Sequence, residues 1–223
     1  VVSRSSLLHG ASPGECESLA LQSWVLAPRR GELFARRHSR LPGVLVVVYG
    51  MIKLSVRARS GNDHVLRLVE PGQTFGEETT LLGHPCRYEA RAVVDSKLVV
   101  IPSRAVDSLV DRDSRFARQI GKVLAQRCNE YLEKLESSCT RSSEQRLAHY
   151  LNTLVEREGS DNACGIRLPV PKAVIASLLD MTKETLSRGL LALSNQGLIR
   201  VSHHNVAILD RARLSRLISG PER

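Results

Sequence analysis

Glu184, Ser187 and Arg188 stand at i, i+3 and i+4 in a stretch that reads as helix, so an acid, a hydroxyl and a guanidinium share one helical face near its start. Those three groups complement paired bases. Arginine bonds guanine O6 and N7 bidentately, glutamate accepts from cytosine N4, and serine adapts to either. Recognition helices present such side chains to base edges in the major groove. A plainer use of the same residues is an i, i+4 surface ion pair between Glu184 and Arg188.

A helix can present that face only if something starts, stops and supports it. Thr182 suits the N-cap, with the helix running through about Gln196 and Gly197 at the C′ position, where a left-handed conformation favours glycine. Before it, Pro171 sits at a helix start, Val174, Ile175, Leu178 and Leu179 supply an apolar face, and Asp180-Met181 makes a turn. After it, Leu198–Val201 and Val206–Leu209 read as a two-stranded ribbon with His203-His204-Asn205 at its tip. Asp210 caps a last helix bearing Leu214, Leu217 and Ile218. Two short helices across a tight turn, followed by a ribbon, predict a winged helix-turn-helix.

Upstream, Ser142-Ser143-Glu144 opens a helix with Leu147, Tyr150, Leu151, Leu154 and Val155 on one face, followed by a loop at Gly159–Gly165 and a short strand at Ile166–Val170. From about Ser114 to Ser137, Ala117, Ile120, Leu124, Cys128, Tyr131 and Leu135 recur at three- and four-residue steps. So narrow an apolar seam fits a two-stranded coiled coil; an ordinary surface helix docked on the preceding domain is the alternative. Between about Ser23 and Ile101 the signal is β. Trp24–Leu26, Val44–Tyr49, Ile52–Val56, Val65–Val69 and Leu98–Ile101 are short apolar runs, and Pro42-Gly43, Ser60–Asp63 and Pro71-Gly72 are among the turns between them. Evenly spaced short strands predict a small closed roll. The expected architecture is α+β: a β-roll over 1–113, a dimerisation helix over 114–138 and a winged helix-turn-helix over 139–223.

Composition narrows the function classes. The 223 residues suit one large domain or two small ones, with ample length for a buried core, and 42% apolar residues argue against disorder. A net charge of +9 suits a polyanionic partner such as double-stranded DNA. No apolar stretch is long enough to span a bilayer, and the N-terminus lacks a secretory pattern. The chain opens at Val1 rather than methionine, and a short leader before it stays open. Cys16, Cys86, Cys128, Cys139 and Cys164 are odd in number, scattered and never in C-x-x-C, which speaks against a disulfide framework or a zinc site and for a reducing cytoplasm. No nucleophile–base pair, Walker loop or metal-ligand cluster stands out, so an enzyme is not expected and no metal ligand is assigned.

In its order of roll, long helix and winged helix-turn-helix, the chain resembles the Crp/Fnr family of bacterial transcription regulators from about Trp24 to Ile218. The resemblance is carried by Pro71-Gly72-Gln73-Thr74-Phe75-Gly76-Glu77, by Glu184-Thr185-Leu186-Ser187-Arg188 and by Asn195-Gln196-Gly197-Leu198-Ile199. It implies a cyclic-nucleotide-binding-like roll and an effector-controlled homodimer that binds DNA and meets RNA polymerase. The glutamate, serine and arginine are similar to the Fnr-type reading head, which prefers half-sites containing TTGA. By that likeness Arg188 would contact guanine, Glu184 the opposite cytosine and Ser187 a thymine edge, while Thr182 and Lys183 would hold phosphates. Ile120, Leu124, Cys128, Tyr131 and Leu135 would form the dimer seam.

The effector stays open between a small molecule and a gas. Cyclic-nucleotide pockets of the family pair Gly-Glu on the ribose with an arginine about ten residues on, followed by serine or threonine, on the phosphate. Gly76, Glu77, Arg87 and Tyr88 fall at those places and are the pocket candidates. Against a cyclic nucleotide stand Tyr88 itself, the neighbouring Glu89, and an alternative alignment from Arg91-Ala92 that puts Cys86 where the arginine belongs. Glu77 also reads simply as a helix-start carboxylate. An iron–sulfur cluster needs four thiolates, and only Cys16 lies near the N-terminus, so none is expected. The Dnr-like branch, similar through Leu168-Pro169-Val170-Pro171-Lys172 and Ile208-Leu209-Asp210-Arg211, implies haem, with His84, Cys86, His64 and Cys128 as candidate ligands and none singled out. The rival reading is a haem- or nucleotide-binding signalling module whose helix-turn-helix serves protein contacts.

Overall fold

The computed structural model describes residues 5–9, 12–57, 63–158 and 166–219. They form two compact units, Val1–Glu130 and Tyr131–Arg223, and the dividing point falls inside one continuous helix. Of the hairpin tip expected at Ser60–Asp63, residues 60–62 lie outside the described residues and Asp63 already belongs to a strand; the loop at Gly159–Gly165 and Cys164 also lie outside them.

After a single 3-10 turn at Ser6–Leu8, the first unit has α1 (Pro13–Gln22), started by a reciprocal cap in which Glu15 N–H donates to Ser12 Oγ at 3.3 Å and Ser12 N–H to Glu15 Oε2 at 2.6 Å. Eight strands follow among the described residues: β1 (Trp24–Leu26), β2 (Leu33–Ala35), β3 (Gly43–Tyr49), β4 (Ile52–Arg57), β5 (Asp63–Val69), β6 (Thr74–Phe75), β7 (Glu89–Ala92) and β8 (Lys97–Pro102). They pair antiparallel into two four-stranded sheets, ordered β1-β8-β3-β6 and β2-β7-β4-β5. Strand β3 explains its own unbroken apolar run. Leu45 and Val47 enter the core between the sheets with Ile52, Leu54, Phe75 and Val100, whereas Val44 and Val46 point the other way, into a second core. Gly43 begins this strand because a Cβ there would lie 1.9 Å from the Ile101 carbonyl oxygen.

Two helices interrupt or follow the roll, α2 (Glu77–Leu82) and α3 (Ser103–Arg112), and then α4 runs from Ser114 to Thr140. The apolar residues of α4 do not act as one seam. Phe116 and Ile120 are buried in the second core with Val44, Val46, Ile101 and Val106, whereas Cys128, Tyr131, Leu132 and Leu135 are exposed. Ile120 is 3% exposed and therefore leaves the expected dimer seam: its own subunit already covers it. Leu124 is half-buried and Leu135 is 63% exposed.

The second unit carries α5 (Ser143–Glu158), β9 (Ile166–Arg167), α6 (Lys172–Leu178), α7 (Lys183–Asn195), β10 (Ile199–Ser202), β11 (Asn205–Ile208) and α8 (Arg211–Ser219). Ser142 and Gln145 exchange backbone-to-side-chain bonds at the start of α5, and Asp210 Oδ1 accepts from Arg213 N–H at 2.9 Å at the start of α8. The wing is three-stranded rather than two-stranded, ordered β10-β11-β9, because Val206 and Asn205 pair with Ile166 and Arg167. Only Ile166–Arg167 of the expected Ile166–Val170 strand takes part. Among the described residues, no helix is long and apolar enough to cross a membrane.

The division of α4 is testable. Ile120→Ala should lower stability by about 2–5 kcal/mol whatever the protein concentration. Leu135→Ala should leave the dilute protein's melting temperature unchanged and alter only its concentration dependence. Equal, concentration-independent losses in both variants would contradict the division.

Candidate nucleic-acid interface and effector site

Helix α7 is held at both ends by its own sequence. Thr182 is in extended conformation and its Oγ1 accepts from Thr185 N–H at 3.1 Å, satisfying one of the first-turn amides. At the other end Gly197, at φ +71°, donates to Ser194 O at 3.0 Å and Leu198 N–H donates to Leu193 O at 3.0 Å, a Schellman closure. Between the caps, Leu186, Leu190 and Leu193 are buried, with α5 and α6 packed against the helix. At 3.6 residues per turn the opposite stripe contains Glu184, Ser187, Arg188 and Leu191, all of them exposed.

The polar members of that stripe are available. Glu184 and Arg188 form no ion pair with each other; Arg188 Nη2 lies 3.5 Å from Thr185 Oγ1. A backbone hydrogen bond and the Thr182 hydroxyl hold the Glu184 carboxyl below its ordinary range, so it stays a charged acceptor. Thr182 and Lys183 are exposed at the positive end of the helix. Leu191 is the residue that sequence reading missed. It is 61% exposed beside Ser187 and Arg188, although an apolar residue in an amphipathic helix normally reads as core. In a groove its chemistry fits a thymine methyl group. The ribbon tip is a two-residue turn, His203-His204, with His203 at φ +54° and both side chains exposed, and Asn205 already belongs to β11.

The effector candidates do not converge. Gly76 adopts φ +91° at the start of α2, and Glu77, 2% exposed, accepts a short hydrogen bond from the Thr74 hydroxyl. Arg67 donates to Thr74 O at 2.9 Å and Arg127 of α4 approaches the same oxygen at 3.4 Å. Tyr88 is buried beside Glu78; burial first, and then the Glu78 charge, push its hydroxyl pKa far up. Arg87 takes the other direction. It is exposed and lines an outward cavity of about 240 Å³ with Arg37, His38, His84 and Pro85. The reason is an alternation that begins before β7: Cys86, Tyr88, Ala90 and Ala92 are buried in turn, and residue 87 between the first two faces outward. The buried place expected for a phosphate-binding arginine is held by Cys86, whose thiol donates to Arg36 O at 3.0 Å. With Glu78 added and Arg87 turned away, these residues do not fit a cyclic phosphate.

Nor do they fit a haem. Cys86 is 0% exposed, His84 borders an open surface cavity that it shares with the cationic Arg37 and Arg87, His64 lies half-buried on β5, and Cys128 is exposed on α4. Among the described residues, no three His, Cys, Asp or Glu side chains are grouped to hold a metal ion.

Two consequences can be measured. Thr182→Ala should cost about 1 kcal/mol of stability through the lost cap, and Thr182→Ser should restore it; equal melting curves for all three proteins would contradict the cap. Burial raises the Glu78 carboxyl above its ordinary 4.5. Its contribution to stability is therefore present below that value and lost as pH rises through the folded-state value. Glu78→Gln should remove that decline from melts recorded between acid and neutral pH, and an unchanged slope would contradict it.

Comparison with known proteins gives the geometry its context. A Crp-like helix-turn-helix domain matches residues 145–217, and a cyclic nucleotide-binding domain matches residues 28–113. The transcriptional regulator LdrP of Thermus thermophilus is 31% identical over 170 residues, covering 75% of this chain and 83% of its own. The CRP-like cAMP-activated global transcriptional regulator of Mycobacterium tuberculosis is 25% identical over 97% of both chains. The solved structure of FixK2 from Bradyrhizobium japonicum shares the fold, with a TM-score of 0.80, 21% identity, and coverage of 90% of this chain and 99% of that one. No preference for the Dnr-like branch emerges from these likenesses. The chain belongs to the Crp/Fnr family of transcription regulators and is a sequence-specific DNA-binding protein of that type.

Proposed function

We propose that this regulator works as a homodimer on near-palindromic DNA whose half-sites contain TTGA, in the cytoplasm and in contact with RNA polymerase. The observation that carries the reading is the exposed stripe of α7, where Glu184, Ser187 and Arg188 face solvent together from a helix capped at both ends. Arg188 takes the guanine O6 and N7, Glu184 accepts from the opposite cytosine N4, and Ser187 meets a thymine edge. Thr182 and Lys183 hold phosphates and set the register. The exposed residues Cys128, Tyr131 and Leu135, with half-buried Leu124, supply the seam between two copies along α4. Two recognition helices on one duplex face then require half-site centres about one turn, roughly 34 Å, apart.

The effector of the roll is a small molecule or gas other than a cyclic nucleotide. Support comes from the outward Arg87, the buried Tyr88 and the added Glu78 charge. The relative from Mycobacterium tuberculosis is described as cAMP-activated; the residues here argue against carrying that ligand over. Titration calorimetry with cyclic AMP and cyclic GMP should show no binding heat, and saturable binding of either would reject this part.

The DNA assignments separate in one binding series. Arg188→Ala should cost about 1–3 kcal/mol on a TTGA palindrome and relax the preference at the guanine. Lys183→Ala should weaken all sequences alike and reduce the salt slope by about 1. An Arg188→Ala protein with unchanged affinity and base preference would sink the reading.

A further inference from the structure

The turn that feeds α7 contains a residue that backbone geometry does not explain. Asp180 adopts φ +53°, a left-handed conformation that glycine would take without strain. It lies two residues before the Thr182 cap and four before Glu184, so any tilt of this turn moves the reading face. Its side chain is gripped from α4. Ser138 Oγ donates to Asp180 Oδ2 at 2.5 Å, and Lys134 Nζ stands 3.8 Å from Oδ1, with both charged side chains 24% exposed. Lys134 and Ser138 are i and i+4 on α4, and Lys134 directly precedes the exposed Leu135. The carbonyls of the same turn are held from α5: Arg146 Nε donates to Leu179 O at 2.9 Å and Arg146 Nη2 to Asp180 O at 3.3 Å. Burial lowers the pKa of Lys134 and the Asp180 charge opposes that shift.

We propose that Asp180 is a positioning residue for DNA reading, which ties the start of the recognition helix to the C-terminal part of α4 through Lys134 and Ser138. The inference rests on the reading above in which α4 carries the dimer seam and α7 enters the groove. A carboxylate is kept in a strained turn because the turn must follow α4: when α4 shifts about the seam, the grip carries the orientation of α7 with it. Arg146 fixes the shape of the turn, while Asp180 fixes which helix the turn obeys. A pair this buried is screened less by salt than an exposed one, so the link persists at working ionic strength.

The test uses the full-length protein and TTGA palindromes whose half-site centres are spaced at the optimum or one base pair to either side. Asp180→Gly keeps the left-handed turn and removes only the carboxylate, and Lys134→Met keeps the buried stem and removes only the charge. Wild type should lose about tenfold or more in affinity at the wrong spacings, because each base pair rotates and shifts one half-site. Asp180→Gly and Lys134→Met should keep the wild-type melting temperature, yet lose no more than about threefold at the wrong spacings, and the double variant should match Asp180→Gly rather than add to it. A purely structural role would lower affinity or stability without flattening the spacing profile. Wild-type spacing discrimination in both single variants overturns the proposal. Arg188→Ala runs alongside as a separate control: if it binds every site as wild type does, the reading of α7 fails, whatever the spacing profile shows. A wild-type protein indifferent to spacing overturns the link and the dimer reading together.

Discussion

Burial of Leu186, Leu190 and Leu193 decides which stripe of α7 meets solvent, and the chemistry presented to DNA follows from that choice. Helix α5 comes close enough that a Cβ on Gly189 would stand 3.0 Å from the end of the Leu147 side chain. Rotating α7 by one residue, about 100°, would pull a leucine into water and carry Glu184 and Arg188 off the outer face. Apolar packing thus orients the polar stripe without touching it. The caps at Thr182 and Gly197 fix where the helix begins and ends along its axis, so rotation and translation are set by different residues.

The same partition of one element between two neighbours recurs elsewhere. Strand β3 sends alternate side chains into two cores. Helix α4 spends Phe116 and Ile120 on its own unit and leaves Cys128, Tyr131 and Leu135 exposed farther along. In both cases a run of apolar residues that looks uniform in sequence serves two distinct surfaces.

Local signals in the sequence were the legible ones. The helix start at Ser142–Glu144, the caps at Thr182 and Asp210, the glycine at 197 and the turn at Asp180 each depend on a few neighbouring residues, and the structure has each of them. What depends on distant packing was hidden. Helix α2 is six residues of Glu-Glu-Thr-Thr-Leu-Leu inside a β-rich region, too short for a period to declare itself. Strands β2 and β7 are short. The orientation of Arg87 was misread because motif spacing was followed instead of phase. From Cys86 to Ala92, small or aromatic residues alternate with charged ones, and that alternation alone turns Arg87 outward. The exposure of Leu191 and the departure of Ile120 from the seam had no local signal, since an apolar residue on a helix does not say which neighbour covers it.

The central claim is that the guanidinium of Arg188 reads a guanine edge in each half-site, and base chemistry tests it most directly. Affinity is measured for a TTGA palindrome in which that guanine is replaced by 7-deazaguanine, which lacks the N7 acceptor while pairing normally with cytosine. Wild type should bind the substituted site more weakly, and Arg188→Ala should bind both sites equally. An Arg188→Ala protein that loses as much affinity on substitution as wild type would show that another group reads the guanine.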